Sequence, residues 1–277
     1  MRVQFVVSTA FIWCFALVSA FPSHATDENE TESLLKLLGY DTFVESFSVA
    51  LQDTDNQITD SDTGLSVAWD LAAAETFPAP EMMAEIVAAM EGALEASHVK
   101  TATDFLMSDL GILVTEMEVF TQQPSQSKIM DEEGASILSD LIQTKAPRLE
   151  TYTSMIEALG AIDNEVAAAM NLNYAIYSGM SQSGKLPYQL GDAEILELVL
   201  SQQDMLRDHI RNRIYISFSY TYRDLTDDDL EEYVNFLTSR TGRALYGAIQ
   251  VATEEVLSRR AHLFGNRLMQ LQGIQEL

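Results

Sequence analysis

One seven-residue pattern occurs twice in this chain. Phe105-Leu106-Met107-Ser108-Asp109-Leu110-Gly111 and Phe236-Leu237-Thr238-Ser239-Arg240-Thr241-Gly242 both read F-L-x-S-x-x-G, at an offset of 131. At the same offset Leu94 meets Leu225 and Val99 meets Leu230, so the agreement reaches upstream of the motif. A looser pair, Ser33-Leu34-Leu35-Lys36-Leu37-Leu38-Gly39 and Ser154-Met155-Ile156-Glu157-Ala158-Leu159-Gly160, lies at an offset of 121. Each half of the chain therefore runs from a Leu-Gly motif to a Phe-Leu motif, and the second half carries about ten extra residues, which the Ser/Gly-rich stretch from Ser178 accommodates. A chain of this kind is expected to fold as two copies of one plan, about 26–145 and 146–277, each covering the other's apolar face.

The motif reads as a helix-to-helix corner. Thr226 is placed to cap a helix that opens Asp227-Asp228-Asp229-Leu230, with three acids at its positive end and Asp229 in the capping-box position. That helix buries Leu230, Val234 and Leu237. Ser239 then caps the next helix, three residues before Gly242, where the missing side chain lets two helices approach. The same roles fall to Phe105, Ser108 and Gly111 in the first half, with Phe236 the counterpart of Phe105. A nucleophilic serine is the poorer reading, because neither copy has a histidine or carboxylate beside it in sequence.

Helix is also the reading elsewhere. Met83, Ile86, Val87, Met90 and Leu94 recur at helical spacing, Pro78 and Pro80 suit the start of one helix, and Pro147 suits another. Ile214 to Tyr222 alternates like a strand, but Ile210, Ile214, Phe218 and Tyr222 form a helical stripe continuous with Leu206, and the helical stripe is preferred. Loops are expected at Gln52 to Gly64, Gln122 to Ser127 and Ser178 to Gly191. The expected fold is all-α, with two related helical halves packed as one bundle-like unit.

Arg2, the apolar segment around Phe11 to Val18 and the small residues Ser23-His24-Ala25 read as a secretory signal, residues 1–25, cleaved after Ala25. The single cysteine, Cys14, lies inside that segment, so the exported chain is expected to hold no disulfide and no thiolate ligand. The expected location is the periplasm or the exterior, with no membrane span after cleavage. Sixteen Lys and Arg against 42 Asp and Glu give a net charge of −26, which repels nucleic acid and anionic lipid. The basic residues gather late: Arg207, Arg211, Arg213, Arg259, Arg260 and Arg267 mark two basic helix faces, suited to pairing within the fold or to self-association through the C-terminal part.

The run from Leu225 to Leu245, with its Thr-acid-acid-acid-Leu helix start followed by aromatic-x-Ser-x-x-Gly, resembles the domain-of-unknown-function 2059 family of exported bacterial proteins over about residues 195–260. Arg240 stands where that family's pattern has proline, and the first copy has Asp109 there without the acidic start. The resemblance implies a helical, exported protein and no particular activity.

Little else points to chemistry. His98, His209 and His262 are far apart, and no zinc-type i, i+4 pair exists. Gly179 to Gly184 is similar to a nucleophile elbow, but its second glycine is displaced and no strand precedes it, so it reads as loop. Asp53, Asp55, Asp60 and Asp62 are the one cluster to weigh for Ca2+, yet an EF-hand register puts Ile58 where glycine is needed and Gly64 where a bidentate glutamate is needed. An acidic linker is the preferred reading. Met82, Met83, Met90, Met107 and Met117 suit core filling better than an adaptable ligand groove. No catalytic or cofactor residue is assigned. The expected function is a non-catalytic protein working through protein or small-ligand contacts, with a carrier of an apolar ligand held between the halves, or a hydrolase with an unrecognised site, as alternatives.

Overall fold

The computed structural model describes residues 30–52, 63–186 and 190–275. The expected export signal and the cluster Asp53, Asp55, Asp60 and Asp62 lie outside the described residues. Among these there are thirteen α-helices and no strand. The first copy holds α1 (Glu30–Leu37), α2 (Tyr40–Gln52), α3 (Thr63–Thr76), α4 (Ala79–Met90), α5 (Ala96–Leu106), α6 (Asp109–Gln122) and α7 (Ser127–Thr144). The second holds α8 (Arg148–Leu159), α9 (Ala161–Gln182), α10 (Asp192–Leu200), α11 (Gln203–Thr221), α12 (Asp227–Thr238) and α13 (Arg240–Gln275). No described helix is long and apolar enough to cross a membrane.

The two Phe-Leu corners share one local geometry. Ser108 and Ser239 are both extended, at φ −72°, ψ 161° and φ −64°, ψ 163°. Each ends one helix by bonding back to the phenylalanine carbonyl, at 2.9 and 3.0 Å, and caps the next by accepting from the glycine N–H, Gly111 at 3.1 Å and Gly242 at 2.9 Å. A β-carbon on either glycine would overlap the carbonyl oxygen of Phe105 or Phe236, so the corner is as tight as the backbone allows. The Leu-Gly corners match as well, with Gly39 at φ 58° and Gly160 at φ 57° closing α1 and α8 in the left-handed region.

The copies are interlocked. At the motif offset α6 and α7 together correspond to α13; the first copy breaks at Pro124, which opens a short 3-10 turn, whereas the second runs through. Helix α7 packs on α11 of the other copy, and the C-terminal part of α13 packs on α4, the counterpart of α11. Helices α5 and α12 likewise cross to α13 and α6. On the seam the rings of Phe105 and Phe236 stack 3.8 Å apart and 6° from parallel.

The six arginines noted in the sequence each meet a carboxylate of the same chain. Arg207 pairs with Asp163, Arg211 with Asp208, and Arg213 with Asp131. Arg260 forks onto Glu85 at 2.9 Å twice and donates to the Thr76 carbonyl; Arg259 joins the same carboxylate, and Arg267 forks onto Glu75. These bonds fasten α13 to α3 and α4. Burial pushes the Glu85 carboxyl up, but the hydrogen bonds from Arg260 and Arg259 outweigh it and hold the group below the usual carboxylate range.

One expectation needs correction. The stretch Ser178 to Gly191 is expected from sequence to be a loop, but α9 continues through Gln182, so Ser178 to Gln182 are helical. The reason is packing: Gly179 lies against the backbone of His262 and Asn266, and Gly265 of α13 lies against the backbone of Ile176 and Met180. Two glycines let the two longest helices cross in close contact, so here glycine serves a helix. Similarly, Thr63 and Gly64, expected in the acidic loop, already belong to α3.

Candidate functional site

Behind the stacked phenylalanines lies a buried polar relay. Glu118 of α6 is 1% exposed and accepts hydrogen bonds from the Tyr222 and Tyr233 hydroxyls, the latter at 3.0 Å. The Tyr233 and Tyr246 hydroxyls are 3.4 Å apart. Burial, then the neighbouring Glu118, Tyr246 and Tyr222, push the Tyr233 phenol well above its usual value, so it stays a donor to Glu118. The relay thus bolts α6, α11, α12 and α13 together and leads outward to Tyr246.

Tyr246 lines a cleft of about 200 Å3 between α8–α9 and α12–α13, with Leu159, Asn164, Leu237, Arg243 and Gln250 around it. A narrower slot continues along α9 and α13; it shares Asn164 and Gln250 and adds Glu165, Thr253 and Glu254. The positions on α13 follow helical spacing, so Arg243, Tyr246, Gln250 and Glu254 share one face over ~16 Å of helix. Asn164 is held in place by its amide, which donates to the Leu159 carbonyl at 2.8 Å, and Gln250 donates to Glu254 at 3.1 Å.

Two side chains here lack what their kind finds elsewhere in the molecule. Among the described residues Arg243 is the one arginine without a carboxylate partner, and it is exposed to the cleft. Glu165 is 5% exposed, lines the slot, and has no hydrogen-bond partner among the described residues. Burial pushes its carboxyl well above the usual range, opposed only by the charge of Arg213. The cleft therefore holds a cation without a carboxylate partner, and the adjoining slot a buried carboxyl that favours its neutral form, with the Asn164 and Gln250 amides common to both.

No family model, curated protein or solved structure matches this chain.

The residues singled out by sequence sit apart from the cleft. Phe105, Ser108, Gly111, Phe236, Ser239 and Gly242 build the two corners, and the serine hydroxyls are engaged as caps. Thr226 forms the capping box with Asp229, its hydroxyl accepting from the Asp229 N–H at 3.1 Å while the Asp229 carboxylate takes the Thr226 hydroxyl at 2.6 Å. His98 meets Thr241 at 3.0 Å across the copies, and His262 meets Gln182 at 3.1 Å. Met82 and Met90 are buried in the core, Met107 is exposed, and neither cleft is lined by methionine. Among the described residues no group of three or more His, Cys, Asp or Glu is placed to hold a metal ion.

The cleft residues were missed because each, taken singly, is an ordinary polar residue on a helix. The signal that finds them is the repeat itself. At matched positions Asn164 replaces Phe43, Glu165 replaces Val44, Arg243 replaces Ile112 and Gln250 replaces Val119.

Proposed function

We propose that this chain is an exported, non-catalytic binding protein of the periplasm or exterior, related to the domain-of-unknown-function 2059 family, and that it holds a small zwitterionic ligand in the α9–α13 cleft. The observation that carries this reading is the placement of Arg243 in the cleft and of Glu165 in the adjoining slot, in a molecule where the other described arginines are matched to carboxylates. A ligand carboxylate satisfies Arg243, an ammonium satisfies Glu165 and Glu254, and the Asn164 and Gln250 amides face its middle. The carrier of an apolar ligand has less support, since Phe105 and Phe236 fill the seam between the copies.

Isothermal titration of the protein with zwitterionic trialanine and tetraalanine tests the reading. Binding is expected, weakened at least tenfold by acetylating the amine or amidating the carboxylate, and lost with Arg243→Ala. Because an ammonium draws Glu165 into its charged form, binding should release a proton, read as a dependence of the heat on buffer ionisation enthalpy. Absence of heat with every short peptide, or indifference to the end groups, would overturn the proposal. Export is tested separately: mass spectrometry of the secreted or envelope fraction should find a chain beginning at Thr26, and an intact Met1 terminus would contradict it.

A further inference from the structure

The two copies differ in one contact that nothing among the described residues replaces. Helix α3 lies on the C-terminal part of α13, with Trp69 packed edge-on to Phe264 at 4.7 Å. Its counterpart α10 packs on α9, as α3 packs on α2, but makes no comparable contact with α7, the counterpart of that part of α13. At the motif offset Leu65 and Trp69 correspond to Leu196 and Leu200. Leu65 is 7% exposed and Trp69 0%, whereas Leu196 is 49% and Leu200 48% exposed. The adjacent positions, Ala68 and Val199, are buried in both. Trp69 donates its indole N–H to the Leu51 carbonyl of α2 as well as meeting Phe264, so the side of the helix that α2 and α13 cover together in the first copy is bare at Leu196 and Leu200 in the second.

We infer that this bare face of α10 docks a basic amphipathic helix of a partner protein. Two observations fix the chemistry of the occupant. The helix that covers the equivalent face within the chain carries Phe264 against it and Arg260 and Arg267 beside it, both bonded to carboxylates of the helices it covers. Around α10, Glu197 borders Leu196 and Leu200 on the helix surface, and Asp192 and Asp204 flank the helix ends. None of the three has an ion-pair partner among the described residues, and the whole molecule carries −26. An apolar stripe edged by unpaired carboxylates accepts a partner with an apolar stripe edged by cations, and rejects an acidic one.

The test uses the purified protein and a fluorescent synthetic peptide of this chain's residues 256–272, which contains Arg259, Arg260 and Arg267. Fluorescence anisotropy is expected to show saturable binding that weakens with salt. A peptide with the three arginines changed to glutamate should bind at least tenfold more weakly. Leu196→Ser with Leu200→Ser, at exposed positions, should leave the melting temperature unchanged and reduce peptide binding at least tenfold. Binding that survives those two substitutions, or no binding to the native chain, overturns the inference. So does sedimentation showing that the native chain self-associates through this face while the double variant does not, since a second copy would then be the occupant. Peptide binding that appears only after residues 1–29 are removed also overturns it, because the chain's own segment would then cover α10.

Discussion

The α2–α6 pair and the α9–α13 pair occupy equivalent positions in the two copies, yet only the second forms the cleft described above. In the first, Val44 and Val119 are 2% and 1% exposed and Phe43 packs against the core beside them. In the second, Glu165, Gln250 and Asn164 stand at those positions, and Arg243 replaces Ile112. The backbone plan tolerates both because the corners that fix the helix angles are made by Ser, Gly and Phe, not by the residues between the helices. The two halves thus divide two tasks: one keeps its helix pair closed and apolar, and the other has a polar recess in place of apolar packing. The comparison teaches that the residues which make this fold and those which give the cleft its chemistry are different sets.

The largest expected effect breaks the link between the copies. Glu118→Leu removes the acceptor shared by Tyr222 and Tyr233 and sets an apolar side chain against two buried hydroxyls, at about 1–3 kcal/mol in all. Denaturant unfolding should show that loss, with a smaller one for Glu118→Gln. Next come the corners: Gly111→Leu and Gly242→Leu should each cost roughly 1–3 kcal/mol, since both meet a backbone carbonyl that has no room to retreat. Gly247→Ala, which meets nothing within 4 Å, should be neutral or stabilising. Unequal losses at the two corner glycines would show that the corners are not equivalent.

A smaller effect distinguishes the copies at the helix before the corner. Thr226→Ala removes a capping box and should cost about 1 kcal/mol, whereas Glu95→Ala, at the matching position without a side-chain cap, should cost almost nothing by the same thermal assay. The smallest effect depends on pH. Glu165 has its folded value raised above the ordinary 4.5, so its folded form binds more protons than its unfolded form. Its contribution is full below pH 4.5 and is lost as pH rises toward the folded value. Glu165→Gln should therefore raise the melting temperature at pH 7 to 8 and leave it nearly unchanged at pH 4, measured by scanning calorimetry. Glu85 acts with the opposite sign: its stabilisation is present above 4.5 and is lost on acidification, so Glu85→Gln should flatten the acid limb of the stability curve.

The helical class, the corners and the Thr226 cap were legible because each rests on local signals: periodicity, a capping side chain, a glycine at a fixed step. The helical end of α9 was not, because Gly179 reads as a loop breaker until the crossing with Gly265 of α13 is known. The relay around Glu118 was equally hidden, for its partners lie 104 and 115 residues away and no local pattern marks a glutamate as buried. The cleft lay between these cases. Its polar residues are unremarkable alone but stand out once Phe43, Val44, Ile112 and Val119 are set beside their counterparts, a comparison the seven-residue repeat makes available.

The central claim is that polar replacements in one copy of a shared scaffold, rather than any change of fold, make the binding cleft. It is tested most directly by returning the first copy's residues to the second, Glu165→Val with Arg243→Ile, and measuring peptide titration and thermal unfolding on the same preparation. The account predicts a melting temperature equal to or above that of the native chain, with zwitterionic peptide binding weakened at least tenfold. A double variant that binds the peptide as the native chain does, or that no longer folds, would contradict it.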